Sequence, residues 1–199
     1  MEYISAVAIA LGIAIGVARR GSLTRLLELR LRHPWLVALA FGLQAAMFIL
    51  PLEASLGDAV APILTATNLF ILAFVALNLR IAGLKLLGLG LALNTLVMLA
   101  NGGYMPVSEQ SLRSTGHGDQ IDVMARVGHL DKSRLLGPDT RLAFLSDVLP
   151  VPQLQRVFSL GDLLVGLGAV WLIAAGMGGR DGARSAALSA AASKGGGRT

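Results

Sequence analysis

Five long apolar runs, at residues 3–18, 35–52, 59–79, about 84–100 and 158–177, leave this chain few ways to fold. A helix needs about 20 apolar residues to cross the hydrocarbon of a bilayer, with about 17 as the practical floor. The second, third and fifth runs meet that length. The first and fourth are slightly short and call on flanking residues or local thinning of the bilayer. None alternates between apolar and polar residues, so a β-barrel is not a competitor. With 54% hydrophobic and 15% charged residues among 199, the chain is too apolar for an ordinary soluble domain. The expected fold is all-α: a membrane domain over residues 1–177, with five transmembrane helices. One long extracytoplasmic loop, 101–157, joins the fourth and fifth. The Gly-, Ala- and Ser-rich segment 178–199 is expected to be a disordered cytoplasmic tail.

The net charge of +5 is a topology signal, and it points to lipid, not nucleic acid. Five arginines against Glu28 occupy residues 19–34, Arg80 and Lys85 flank the next turn on that side, and the tail carries Arg180, Arg184, Lys194 and Arg198 against Asp181. The other side carries Glu2, Glu53 and Asp58, plus a loop with six basic and six acidic residues. Basic residues collect on the cytoplasmic side. The expectation is a multipass protein of the bacterial cytoplasmic membrane, its amino terminus outside and its tail inside. The first run has Glu2 in place of a basic start and no small-x-small cleavage site, so it is expected to stay as an anchor. With no cysteine in the chain, disulfides and thiolate chemistry are excluded.

Ala8, Gly12 and Gly16 form a small-residue stripe that permits close helix contact. Residues 20–33 alternate leucines and arginines and read as a short amphipathic helix on the inner surface. Asn68, Asn78 and Asn94, in or near the third and fourth spans, read as hydrogen-bonded glue between helices. In the long loop, Asp119 is placed to cap a helix running to about Leu130, with Ile121, Met124 and Val127 on one side. Gly137-Pro138-Asp139 signals a turn, and Pro150-Val151-Pro152 an extended approach to the last helix.

Asp162 opens the last span. Ser159-Leu160-Gly161-Asp162 matches the start signature of a helix, with Ser159 as the cap and Asp162 against the positive end of the helix dipole. The competing reading is a buried carboxylate with a raised pKa, acting as acid, base or cation ligand. Asn101-Gly102-Gly103-Tyr104-Met105-Pro106 closes the fourth span. Asn and two glycines tolerate left-handed backbone angles, so the segment reads as a helix stop with an interfacial Tyr104. A backbone nest that holds a headgroup or small anion is the alternative. In the segment 140–150, Arg141 and Asp147 are free to pair with each other, with lipid phosphate or with Asp162. His33, His117 and His129 lack metal-ligand spacing, so no metal is assigned. Ser146, His129 and Asp147 supply triad residue types with nothing in their spacing to recommend them. No phosphate loop, dinucleotide fingerprint or haem motif is present, and no cofactor is assigned.

The 101–106 motif, Thr140-Arg-Leu-Ala-Phe-Leu-Ser-Asp-Val-Leu-Pro-Val-Pro and Val157-Phe-Ser-Leu-Gly-Asp-Leu-Leu together resemble an uncharacterised bacterial multipass membrane family, domain of unknown function 5317. The resemblance covers nearly all the chain before the tail, and it implies a membrane protein without supplying an activity. Residues 158–162 also resemble, faintly, the motif opening the last helix of lipoprotein signal peptidase, an intramembrane aspartyl protease. Ser159 replaces that family's asparagine, its upstream motif is not intact here, and this chain has one span more. That likeness implies a carboxylate pair, Asp162 with Asp139 or Asp147.

Two function classes follow. One is a binding, sensing or accessory membrane component, with an outer-face site drawn from Asn101, Gly102, Gly103, Tyr104, Pro106, Arg141, Ser159, Asp147 and Asp162. Its partners are the bilayer and either a lipid headgroup or another membrane protein. The other is an outer-leaflet hydrolase using Asp162 with Asp139 or Asp147. A transporter fits less well, because five spans show no internal repeat.

Overall fold

The structure, a computed structural model, describes residues 2–50 and 57–178. The tail from 179 onward and most of the turn between the second and third runs lie outside the described residues. Five apolar helices carry the architecture: α1 (Glu2–Ala18), α3 (Trp35–Ile49), α4 (Val60–Leu77), α5 (Leu84–Ala100) and α8 (Leu160–Gly178). Their bounds fall within two or three residues of the apolar runs. By length and composition α4 and α8 are sufficient to cross a membrane, and α1, α3 and α5 are shorter apolar helices. Between them lie the short α2 (Leu23–Leu27), α6 (Glu109–Ser114) and α7 (Gly118–Val127).

The long helices pack as a row, α3–α4–α5–α8–α1, with α8 between α5 and α1. Glycines set the close approaches. Gly12 and Gly16 of α1 lie against Ile173 and Met177 of α8, so the small-residue stripe is a helix contact. Gly168 of α8 lies against the backbone of Leu87, and Gly90 of α5 against the carbonyl of Gly161. A side chain at either position would push α5 and α8 apart, because a rigid backbone stands where its Cβ would go. Leu36, Phe74, Val75 and Leu84 form a buried cluster where α3, α4 and α5 meet.

At the end of the row formed by the close of α4 and the start of α5 and α3, one side chain ties the chain together. Asn78, 3% exposed, donates to the carbonyls of Arg32 (2.8 Å) and Phe74 (2.7 Å) and accepts from the Arg32 amide (2.8 Å). Those bonds fix the approach to α3 in a non-helical form. The expected amphipathic helix over 20–33 is therefore confined to α2, which Ser22 caps through the Thr24 amide. On the same side the Arg25 guanidinium donates to the Gly178 carbonyl.

At the other end, residues 101–159 fold into a cap. It departs from the all-α expectation by holding two short sheets. Strand β1 (Met105–Val107) runs parallel to β2 (Ser133–Leu135), and Asp147 bridges to Val107 on the opposite edge. Strands β3 (Leu149–Val151) and β4 (Arg156–Phe158) form an antiparallel hairpin. Pro150 is extended in β3, but Pro152 opens a 3-10 turn at the hairpin tip, so the extended approach to α8 is β4. Val107, Leu112, Ile121 and Met124 make the cap's own core. Helix α7 starts at Gly118 with no side-chain cap, one residue before Asp119, and stops at Gly128, whose φ of +93° ends it before Leu130. Ile121 and Met124 face the core while Val127 is 64% exposed. At 100° per residue, a position six residues along has turned off the face that Ile121 starts.

Candidate functional site

The start of α8 is built as a reciprocal cap. Ser159, fully buried, accepts the Asp162 amide on its hydroxyl at 3.0 Å, and an Asp162 carboxylate oxygen accepts the Ser159 amide at 3.2 Å. This is the capping-box arrangement with aspartate in the acidic position. Asn94 of α5 completes it. Its amide donates to the other Asp162 oxygen at 2.7 Å, and the Ser159 hydroxyl donates back to the Asn94 carbonyl at 2.9 Å. The glycines at 90 and 161 let α5 come close enough for these contacts. Geometry therefore accounts for Asp162 as a cap and an interhelix tie.

The segment 101–106 is also structural. Asn101 donates to the carbonyls of Val97 and Arg141 and accepts the Arg141 amide, fastening the 141 loop to the end of α5. Gly102 and Gly103 have φ of +71° and +91°, and Gly103 lies against the backbone of Ala61 and Pro62, at the start of α4. The Gly103 carbonyl accepts the Thr65 hydroxyl at 2.8 Å. Tyr104 is buried, its ring 5.0 Å from that of His129, with the Arg134 guanidinium over it at 4.5 Å. Pro106 is buried in β1. None of Asn101, Gly102, Gly103, Tyr104 or Pro106 lines the cavity described next, because the turn is consumed in joining the cap to α4 and α5.

A cavity of about 300 Å³ lies where the cap meets the helices. Asn68 of α4, Leu91, Asn94 and Met98 of α5, and Asp162 and Val165 of α8 line its helical side. Lys132, Asp147 and Met124 line the cap side, with His117 and Arg156 among the other contributors. Positions 91, 94 and 98 share one face of α5, flanked in the helix row by α4 and α8.

The structure brings Asp147 and Asp162 to this one cavity and leaves Asp139 out, exposed on the surface turn. Arg141 is exposed and forms no ion pair with either carboxylate. The main chain of Asp147 is pinned to β1, its amide donating to the Pro106 carbonyl and its carbonyl accepting the Ser108 amide, both at 2.9 Å. Its Oδ1 is buried without a hydrogen-bond partner. Burial first, and the neighbouring Asp162 charge second, push the Asp147 carboxyl up to about 8. Burial pulls the Lys132 ammonium down from its ordinary range, partly offset by the adjacent Asp131 charge. The Ser146 hydroxyl is buried without a partner, so no base activates it and no Ser146–His129–Asp147 triad exists. No cluster of three metal-binding carboxylates or imidazoles occurs among the described residues.

Sequence reasoning missed two of these residues, Lys132 and Asn68. Lys132 sits in a loop with nothing local to mark it. Asn94 and Asn68 were visible as polar residues inside apolar runs, but both read as glue. Asn94 is glue. Asn68 makes no hydrogen bond to the described protein and faces the cavity.

No curated protein and no solved structure matches the chain. The likeness to lipoprotein signal peptidase finds no support in these comparisons. One family model does match, over residues 28–174, a stretch covering the helices from α3 onward, the cap and most of α8. The chain belongs to that family, a family of unknown function (DUF5317).

Proposed function

We propose that this protein is a five-span component of the bacterial cytoplasmic membrane, amino terminus outside and carboxyl end inside, that binds a small ligand in the cavity beneath its extracytoplasmic cap. The alternation of helix directions and the basic residues around α2 and the α4–α5 turn support the orientation. Exposed Phe41, Leu69, Leu96, Leu167 and Trp171 fit lipid contact along the row. The observation that carries the binding reading is Asp147 Oδ1, an atom of a half-buried residue that is itself buried and without a hydrogen bond at the cavity wall. An unsatisfied buried polar group costs about 1–3 kcal/mol, so Oδ1 has bonding capacity that a ligand would use.

The chain has no cysteine, so single cysteines test this reading without background. A small membrane-impermeant thiol reagent added outside intact cells is expected to modify Ser114→Cys on the cap and Ser133→Cys at the cavity, and to leave Leu27→Cys untouched. Labelling of Leu27→Cys would overturn the orientation. An inert Ser133→Cys beside a reactive Ser114→Cys would remove the accessible cavity.

One observation favours a second reading: the two carboxylates share one cavity, and Asp147 holds its proton near neutral pH. In a hydrolase, Asp162 would take a proton from water while Asp147 gave its own to the leaving group. The binding reading is preferred because Asp162 already spends both oxygens on Asn94 and the Ser159 amide. Turnover of membrane-anchored peptides by the wild type, absent in Asp147→Asn, would reverse that preference.

A further inference from the structure

Three polar side chains from three separate segments meet the cavity without partners in the protein. Asp147 Oδ1, from the strand edge beside β1, is buried and unbonded. Lys132, from the connection leading into β2, makes no ion pair within 4.0 Å. Asn68, near the middle of the apolar helix α4, makes no hydrogen bond. Elsewhere in the helix row the buried amides are satisfied, as Asn78 and Asn94 are. Outside the cavity the Ser146 hydroxyl is also buried without a bond, but only at the cavity do several unpartnered polar side chains face one space.

The kinds of group present narrow what would satisfy them. Two carboxylates, Asp147 and Asp162, line the same space as one ammonium, Lys132. Among the described residues no ion pair within 4.0 Å joins Lys132 to either carboxylate, so both kinds of charge are left for a ligand. A ligand matched to that wall and to Lys132 carries one positive and one negative group. His117 and Arg156 are the other titratable groups on the lining. Leu91, Met98, Phe158 and Val165 give the space an apolar side toward the helices. The volume holds roughly ten waters at about 30 Å³ each, or one headgroup-sized molecule.

We propose that the cavity binds a zwitterion, its primary ammonium on the Asp147–Asp162 wall and its oxyanion on Lys132. This inference rests on the binding reading above and names the ligand class. The same chemistry occurs in the phosphoethanolamine headgroup of a phospholipid and in a free zwitterion such as glycerophosphoethanolamine. The apolar lining at Leu91, Met98 and Val165 favours the lipid.

The test uses the full-length protein purified in detergent and exhaustively delipidated. Short-chain phosphatidylethanolamine, phosphatidylcholine, phosphatidylglycerol and free glycerophosphoethanolamine are compared by thermal shift and by native mass spectrometry. Phosphatidylethanolamine is expected to raise the melting temperature and bind at one equivalent. Phosphatidylcholine, whose quaternary nitrogen has no N–H, and phosphatidylglycerol, which has no cation, are expected to bind at least 10-fold more weakly. Asp147→Asn and Lys132→Met should each weaken phosphatidylethanolamine binding at least 10-fold without lowering the melting temperature of the free protein, because neither side chain bonds to the rest of the protein. Asn68→Leu, a change on a different element, is the second check should either variant misfold. Comparable binding by glycerophosphoethanolamine would assign the soluble zwitterion as the source, and binding by the diacyl form alone would assign the lipid; both sustain the proposal. Equal binding of phosphatidylglycerol and phosphatidylethanolamine, lost in Asp147→Asn, would overturn the zwitterion while leaving a binding cavity. No probe bound, together with an inert Ser133→Cys, would remove both.

Discussion

The two ends of the helix row treat buried polarity in opposite ways. At the α4–α5 turn, Asn78 is enclosed and uses both of its donor hydrogens and its carbonyl on Arg32 and Phe74. At the cap end, the side chains of Asn68, Lys132 and Asp147 face a cavity and make no hydrogen bond or ion pair within the described protein. Asn78 is fully enclosed and the cavity residues are half-buried, and in both places an unpaired polar group costs free energy. What differs is that the first end recovers the cost inside the fold and the second leaves it outstanding. The start of α8 lines the same cavity, yet it belongs with the first kind: Ser159, Asp162 and Asn94 satisfy one another. Polar residues in apolar segments are thus of two sorts here, and only the hydrogen-bond census separates them.

The contrast breaks most visibly at Asn78. Asn78→Leu removes three hydrogen bonds and strands the Arg32 amide and carbonyl, so we expect a loss of about 3 kcal/mol or more, read as a fall in melting temperature. A neutral outcome would mean that the Arg32 clamp does not hold the approach to α3. Ser159→Ala should cost about 1–2 kcal/mol, since it removes the helix cap and leaves the Asn94 carbonyl without its donor. Thermal denaturation of the variant beside the wild type decides this, and a change within error would detach the cap from stability.

At the cavity the expected sign reverses. The Asp147 carboxyl is held up to about 8 in the folded protein against 3.8 ordinarily. Between those values the native state keeps a proton that the unfolded chain releases, so stability falls as pH rises through the window. Asp147→Asn should flatten that decline, matching the wild type below pH 4 and exceeding it most at pH 8 and above. Identical pH profiles for the two proteins would show that Asp147 is not the group responsible. The smallest effect is expected for Asn68→Leu, a gain of up to about 1 kcal/mol or no change in the free protein. A clear loss would reveal a structural partner for Asn68 and move it to the saturated class.

Much of the framework was legible in the residues. The apolar runs locate α1, α3, α4, α5 and α8, because a helix in an apolar setting must be apolar on nearly every face. The Ser159-x-x-Asp162 spacing predicts the cap that is found, since a capping box is local in sequence. The cap's sheets were not legible: strands of three residues carry no usable periodicity. Helix α2 came out shorter than its leucine–arginine pattern implied, because Asn78, 46 residues away from Arg32, holds the following segment in a non-helical form.

The candidate site divides along the same line. Sequence alone determined that Asp162 opens the last helix and that Asn101–Pro106 makes a sharp, glycine-dependent turn, both consequences of backbone geometry over a few residues. Only the tertiary structure decided that this turn joins the cap to α4 and α5 away from the cavity, that Asp147 and not Asp139 shares a cavity with Asp162, and that Lys132 and Asn68 join them. Those facts depend on which distant groups meet after α4, α5, α8 and the cap have packed. Whether a buried polar group is satisfied is a property of that packing, and no single segment carries it.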